Sequence, residues 1–162
     1  MRMGPQMIKR LPHLAFCAAL FGALGFSVAP ARADRCDDLA KDLASRIDNM
    51  KVGATRGGII YLQHPLAASA SLGCQSRNKL AEFYAASPQR KPSPAFIEMV
   101  ATAAAVVFTI PKDDALNGVK RCLNRIGLIR GNDIQTRYRK LDVHCSRSTT
   151  SANVTISREK DE

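Results

Sequence analysis

The sequence predicts an α+β domain in which one mainly antiparallel sheet of about five strands has helices packed on one face. Two kinds of periodicity predict it. In three stretches apolar residues recur every three or four positions, as on the buried side of a helix. In about five others they alternate with polar residues or form short β-branched runs, as in strands. The resulting order, α-β-β-β-α-α-β-β, groups strands and helices, which favours this layered arrangement.

Each predicted helix has a recognisable start. The first begins at Cys36 and has acidic residues in its first turn, where the helix dipole favours negative charge. The second follows the capping residue Ser93 and has Pro94 at a favoured first helical position. The third begins after Pro111 and is expected to end near Gly127. The second helix has the widest apolar face, so we expect it to be the most buried element.

The strand predictions are less uniform. Patterns typical of strands cover residues 58–65, 69–76, 136–145 and 153–156. Residues 79–86 fit either a strand or a short helix, because Lys, Leu, Ala and Glu are good helix formers. The glycines at positions 53, 57 and 58 indicate a turn before the first strand.

The first 33 residues have the pattern of a secretory signal peptide. Three basic residues precede an almost wholly apolar run, residues 14–28, and a small-x-small triplet ends at Ala33. The apolar run of about 15 residues is shorter than the roughly 20 that span a bilayer. We therefore expect cleavage after Ala33, a periplasmic or secreted protein and no transmembrane segment in the mature chain.

The mature chain is expected to form a single α+β domain at residues 34–157, followed by a charged tail at residues 158–162. The whole chain has 24 Lys and Arg against 14 Asp and Glu. The signal peptide contains four of the basic residues and none of the acidic ones, so the mature chain is still basic.

Four cysteines remain after cleavage, namely Cys36, Cys74, Cys122 and Cys145. An even number in an oxidising compartment, without a Cys-x-x-Cys pair, favours two disulfides over zinc ligands or four free thiols. Pairing by element type favours Cys36 with Cys122, both on helices, and Cys74 with Cys145, both on strands.

The element order resembles that of type III secretion chaperone-like domains, which have a helix, three strands, a helix and two strands and often form homodimers. The resemblance covers most of the mature chain and rests on element order, with no shared sequence motif. The chain departs from the pattern in its split central helix and its missing final helix. Those chaperones are cytoplasmic whereas this chain has an export signal, so the resemblance implies no functional residue here.

One candidate binding site is the basic run formed by Arg137, Tyr138, Arg139 and Lys140. Basic residues with an interleaved aromatic are typical of nucleic-acid sites. Export makes an anionic envelope component, such as a lipid, lipopolysaccharide or an acidic polymer, the more suitable ligand. The alternative is that basic residues on an edge strand protect it from pairing and keep the protein soluble.

Catalysis has a single candidate pair. Asp142 and His144 lie two residues apart, so they point to the same face of the predicted strand, as a base and its orienting carboxylate would. The same alternation is typical of a solvated strand face, and the sequence supplies no third ligand for a metal there. We predict no catalytic residue, no metal site and no cofactor.

These observations predict a small, exported, non-catalytic envelope protein that acts as a protein-interaction or chaperone-like module. Its expected partner is another envelope protein or a second copy of itself, bound through an exposed sheet face or a free edge. The alternative is a binder of an anionic envelope component, and no nucleic-acid partner is expected.

Overall fold

The structure of the protein is a computed structural model, which describes residues 33–74, 79–127 and 129–159. The predicted signal peptide, except for Ala33, lies outside these residues, as does the end of the predicted tail. None of the described helices is long and apolar enough to cross a membrane.

Three helices and seven strands make up the described chain. The helices are α1 (Ala33–Arg46), α2 (Pro94–Phe108) and α3 (Lys112–Arg125). The strands are β1 (Lys51–Arg56), β2 (Ile59–Gln63), β3 (Ser69–Gly73), β4 (Lys79–Ser87), β5 (Asp133–Tyr138), β6 (Leu141–Arg147) and β7 (Ala152–Glu159). Strand β7 thus continues two residues beyond the predicted end of the domain.

All the strands belong to one antiparallel sheet in the order β1-β2-β3-β4-β7-β6-β5. Two meanders, β1–β4 and β5–β7, meet where β4 pairs with β7. The helix pair α2–α3 connects the meanders and packs on the sheet with α1. Buried strand residues such as Ile60, Phe83 and Val154 share one hydrophobic core with the helices. The predicted α+β class is therefore confirmed.

The prediction of about five strands is wrong, because the sheet formed by the described residues has seven. One missed strand is β1, where glycines had indicated a turn. Gly57 and Gly58 do have positive φ angles in the β1–β2 turn. Gly53 instead lies inside β1, where an added Cβ would be 3.0 Å from the carbonyl oxygen of Tyr61. This close backbone contact favours glycine at position 53. In the sequence, such a glycine cannot be distinguished from one that marks a turn.

The second missed strand results from a hidden turn. Residues 136–145 were expected to form one strand, but a two-residue turn at Arg139 and Lys140 divides this segment between β5 and β6. Both residues have positive φ, 48° and 64°. Such turns strongly prefer Asn and Gly, so two long basic residues gave no turn signal.

Residues 79–86, which fitted a helix or a strand, belong to strand β4. This strand lies between β3 and β7 at the centre of the sheet, and its residues Phe83 and Ala85 are fully buried. Helix α2 starts as predicted, since the Ser93 hydroxyl accepts a hydrogen bond from the Phe96 N–H at 3.1 Å. Helix α3 ends before Gly127, which pairs with Gly131 in a short bridge.

The four cysteines form two disulfides, but the predicted pairing is wrong. The bonds are Cys36–Cys74, with a Cα–Cα distance of 5.9 Å, and Cys122–Cys145, with 6.0 Å. Helix α1 contacts β1 at one side of the sheet, whereas α3 contacts β5 and β6 at the other. A bond between Cys36 and Cys122 would have to pass across α2. Each helix is instead fastened to the chain segment beneath it.

Proteolysis without reduction is expected to yield peptides that join Cys36 to Cys74 and Cys122 to Cys145.

Replacing the second pair, as C122A/C145A, should lower the free energy of unfolding by about 3 kcal/mol, because that bond closes a loop of intermediate length. Mass spectrometry of the peptides and urea denaturation measure both effects. A peptide joining Cys36 to Cys122 would contradict the observed pairing.

Candidate functional site

The face of the sheet opposite the helices, which we call the open face, is a candidate binding surface. Side chains of a strand alternate between faces, so every strand contributes to it. No described helix packs against this face, and its residues are exposed or half-buried apart from small ones near the centre. The open face therefore presents a broad, mostly polar platform.

The strand register shows which residues are neighbours on the open face. One row across the sheet contains Ile59, Gly73, Glu82, Ser157, Asp142 and Arg137. The next row contains Tyr61, Ser71, Tyr84, Thr155, His144 and Gln135. The exposed apolar side chains thus lie at the β2 side, small residues lie on β3 and β7, and mostly charged residues lie at the β5–β6 side. Glu82 and Tyr84 of β4 lie between the small residues at the centre.

The apolar side of the open face has two exposed large side chains. Ile59 and Tyr61 are 40% and 47% exposed, and they are adjacent on the same face of β2. Beside them Ser71 and Gly73 of β3 are small, so the two large side chains stand above their neighbours. We call Ile59, Tyr61, Ser71 and Gly73 the β2 patch. On its other side, Arg56 pairs with Ile59 and Lys51 pairs with Gln63 at the edge strand β1.

The charged side of the open face contains the predicted Asp142 and His144. They do point to the same face, but His144 is not held by Asp142. The Nε2 atom of His144 lies 2.6 Å from an oxygen of Asp133 on β5. Asp142 instead lies 4.0 Å from Nε of Arg137. Asp133 was missed because the strand was predicted to start after it.

The four predicted binding residues do not share a face. Arg137 points to the open face, while Tyr138 points to the helix side. Arg139, in the turn, forms an ion pair with Asp114 of α3 at 3.1 Å, and Lys140 is the other turn residue. The basic run is therefore divided between two faces and a turn, and carboxylates neutralise Arg137 and Arg139 locally.

Tyr138 has a packing role. The ring lies against Gly118 of α3, where an added Cβ would be 3.4 Å from the ring carbon Cδ1. An added Cβ would already touch the ring, so the absence of a side chain at Gly118 lets α3 and β5 pack directly against each other. The neighbouring ion pair of Arg139 with Asp114 holds the same helix near the turn.

Two further arginines, which the sequence did not single out, connect strands to helices by hydrogen bonds. Arg158 donates a hydrogen bond to the carbonyl of Phe108 at 3.0 Å and lies over that residue's ring. Arg147 donates to the carbonyl of Leu123 at 3.3 Å. Both carbonyls lie at helix C-terminal ends, where cations are favoured. These arginines join the strands to the helix layer and are not part of the open face.

The described residues contain no group of three or more His, Cys, Asp or Glu side chains that would hold a metal ion. Comparison with protein-family models, with curated proteins and with solved structures found no match to the chain.

Replacement of Tyr138 separates its packing role from a binding role. Y138A should lower the free energy of unfolding by about 2 kcal/mol, because it removes a half-buried ring from the α3–β5 contact. The neighbouring R137A should change it by less than about 0.5 kcal/mol, because Arg137 is largely exposed. Urea denaturation of both variants measures the difference. Equal stability of the two variants would show that Tyr138 does not hold α3.

Proposed function

We propose that the protein is an exported, non-catalytic interaction module whose β2 patch binds a second protein of the cell envelope. The observation that carries this proposal is the side-by-side exposure of Ile59 and Tyr61 on an uncovered sheet face. Tyrosine is one of the residues most often found as an anchor in protein interfaces, and Ile59 adds apolar surface beside the Tyr61 ring.

The surroundings of the β2 patch favour a particular kind of partner. Ser71 and Gly73 leave room for a partner's side chain beside the Tyr61 ring. Lys51 and Arg56 supply positive charge at the adjacent edge, where both are exposed. A partner segment with an apolar anchor and flanking acidic residues would complement this surface.

Export is part of the proposal. It rests on the signal-peptide pattern of residues 1–33, and the two disulfides of the structure are compatible with an oxidising compartment. The cleavage site and the compartment remain predictions from the sequence. The resemblance to type III secretion chaperone-like domains rests on element order and adds no residue to the proposed surface.

The alternative function, binding of an anionic envelope component, needs the basic run to act as one surface. The division of these residues between faces, and the ion pair of Arg139 with Asp114, work against it. We therefore favour a protein partner at the opposite side of the open face.

Crosslinking of the tagged protein in its own cells tests the proposal. The variant I59T/Y61T removes the two anchors but keeps residues that suit a strand. The yield of crosslinked protein partner should be at least about nine-tenths lower with this variant than with the wild type, because anchor residues contribute most of the binding free energy. The matched control is I129T, since Ile129 is fully exposed but lies outside the sheet.

Retention of the crosslinked partner by I129T and its loss in I59T/Y61T would support the β2 patch. The same partner captured by I59T/Y61T at the wild-type level would contradict it, as would equal losses in both variants. The wild-type interaction should also weaken in K51E/R56E, because the proposed partner is acidic.

A further inference from the structure

The sheet ends in two edge strands that differ in how well they could pair with another strand. Strand β1 has an irregular register between Val52 and Thr55, and basic residues lie at both its ends. Bulges and repeated positive charge are common protections of a sheet edge. Strand β5 pairs with β6 in an unbroken register from Asp133 to Tyr138. Among the described elements, only β6 pairs with β5.

The hydrogen bonding of the β5–β6 hairpin shows which groups of β5 point outward. A two-residue turn is closed by its flanking residues, here Tyr138 and Leu141, which therefore form a hydrogen-bonded pair. At the other end of the hairpin the Arg147 N–H donates to the Asn132 carbonyl at 2.8 Å. Even-numbered residues of β5 are thus the ones bonded to β6.

The backbone groups of the intervening residues follow from this alternation. In an antiparallel pair, every second residue directs its N–H and C=O away from the partner strand. On β5 these residues are Asp133, Gln135 and Arg137. Their backbone donors and acceptors face the open edge, and their side chains lie on the open face of the sheet.

This edge is complementary to itself. When a second β5 lies antiparallel to the first with the two Gln135 residues opposite each other, Asp133 of each copy faces Arg137 of the other. Within each copy Asp133 already lies beside His144 and Arg137 beside Asp142, so the contact between copies would add to these pairs rather than join two isolated charges. Opposite charges directly across an antiparallel pair are stabilising. The three outward-facing residues of one copy then form hydrogen-bonded pairs with the same three residues of the other, as a two-fold axis through Gln135 requires.

We propose that two copies of the protein associate through β5, in an antiparallel pairing centred on Gln135 that continues the sheet from one copy into the next. The occupant of this edge is a second copy of the chain, and the β2 patch is at the far side of the sheet. The proposal therefore stands apart from the proposed function.

The helix layer fits the same arrangement. Helix α3 lies over β5 and β6, and it begins near the β5–β6 turn, where Asp114 meets Arg139. Its first turn is acidic and its last turn contains Arg125. A two-fold axis through Gln135 makes the α3 helices antiparallel, so the acidic end of one lies toward the basic end of the other.

Sedimentation equilibrium of the purified protein tests the pairing. The wild type should change from monomer to dimer over a concentration series reaching about 1 mM, because a short edge forms a small and weak interface. D133R places Arg opposite Arg in both symmetric contacts, and R137D places Asp opposite Asp. Each variant alone should dimerise at least about tenfold more weakly than the wild type.

An equimolar mixture of D133R and R137D restores opposite charges at both contacts, so it should regain the wild-type dimer affinity. Q135P supplies a second disruption, since it removes an outward N–H that the β5–β6 pairing does not use. Far-UV circular dichroism and thermal unfolding check that each variant folds. The control I59T/Y61T should dimerise like the wild type.

A wild type that stays monomeric over the whole series would overturn the proposal. So would a dimer that folded D133R, R137D and Q135P all form as strongly as the wild type, or a mixture that remains monomeric while the wild type dimerises.

Discussion

The alternation of side chains along each strand governs both the stability and the surfaces of this protein. Because neighbouring residues point to opposite faces, the strands that bury Ile60, Leu72 and Phe83 beneath the helices must present their intervening residues on the other face. Burial on one face holds the helix layer, and the disulfides fasten α1 and α3 at opposite sides of the sheet. The open face is thereby left uncovered by the described helices.

The open face is not uniform, and this difference decides where a partner is expected. At the β5–β6 side its charged residues are already engaged within the chain, as His144 is with Asp133. At the β2 side Ile59 and Tyr61 lose contact with water only if another molecule covers them. The sheet thus combines the apolar patch that we propose binds a different protein with the edge that we propose binds a second copy.

Sequence periodicity was sufficient to predict the helices, the fold class and the alternation of buried residues along β6, because burial on one face imposes a regular pattern. It failed where tertiary contact or turn geometry decides. Gly53 has a close backbone contact inside a strand, and Arg139 with Lys140 forms a turn without turn residues. The disulfide pairing could not be predicted from element type, because it depends on which helix packs over which part of the sheet. The β2 patch was missed because residues 58–65 read as a strand without indicating which face would be covered.

Oxidative footprinting by hydroxyl radicals tests the central claim most directly. The chain has three tyrosines, so the oxidation rate of one can be compared with that of another in the same sample. In the purified protein, Tyr61 should react fastest, and Tyr138, packed against Gly118, should react more slowly. In intact envelopes, Tyr61 should become protected relative to Tyr138, because the proposed partner would cover the β2 patch. An unchanged ratio of Tyr61 to Tyr138 oxidation between purified protein and envelope would contradict a partner on the open face.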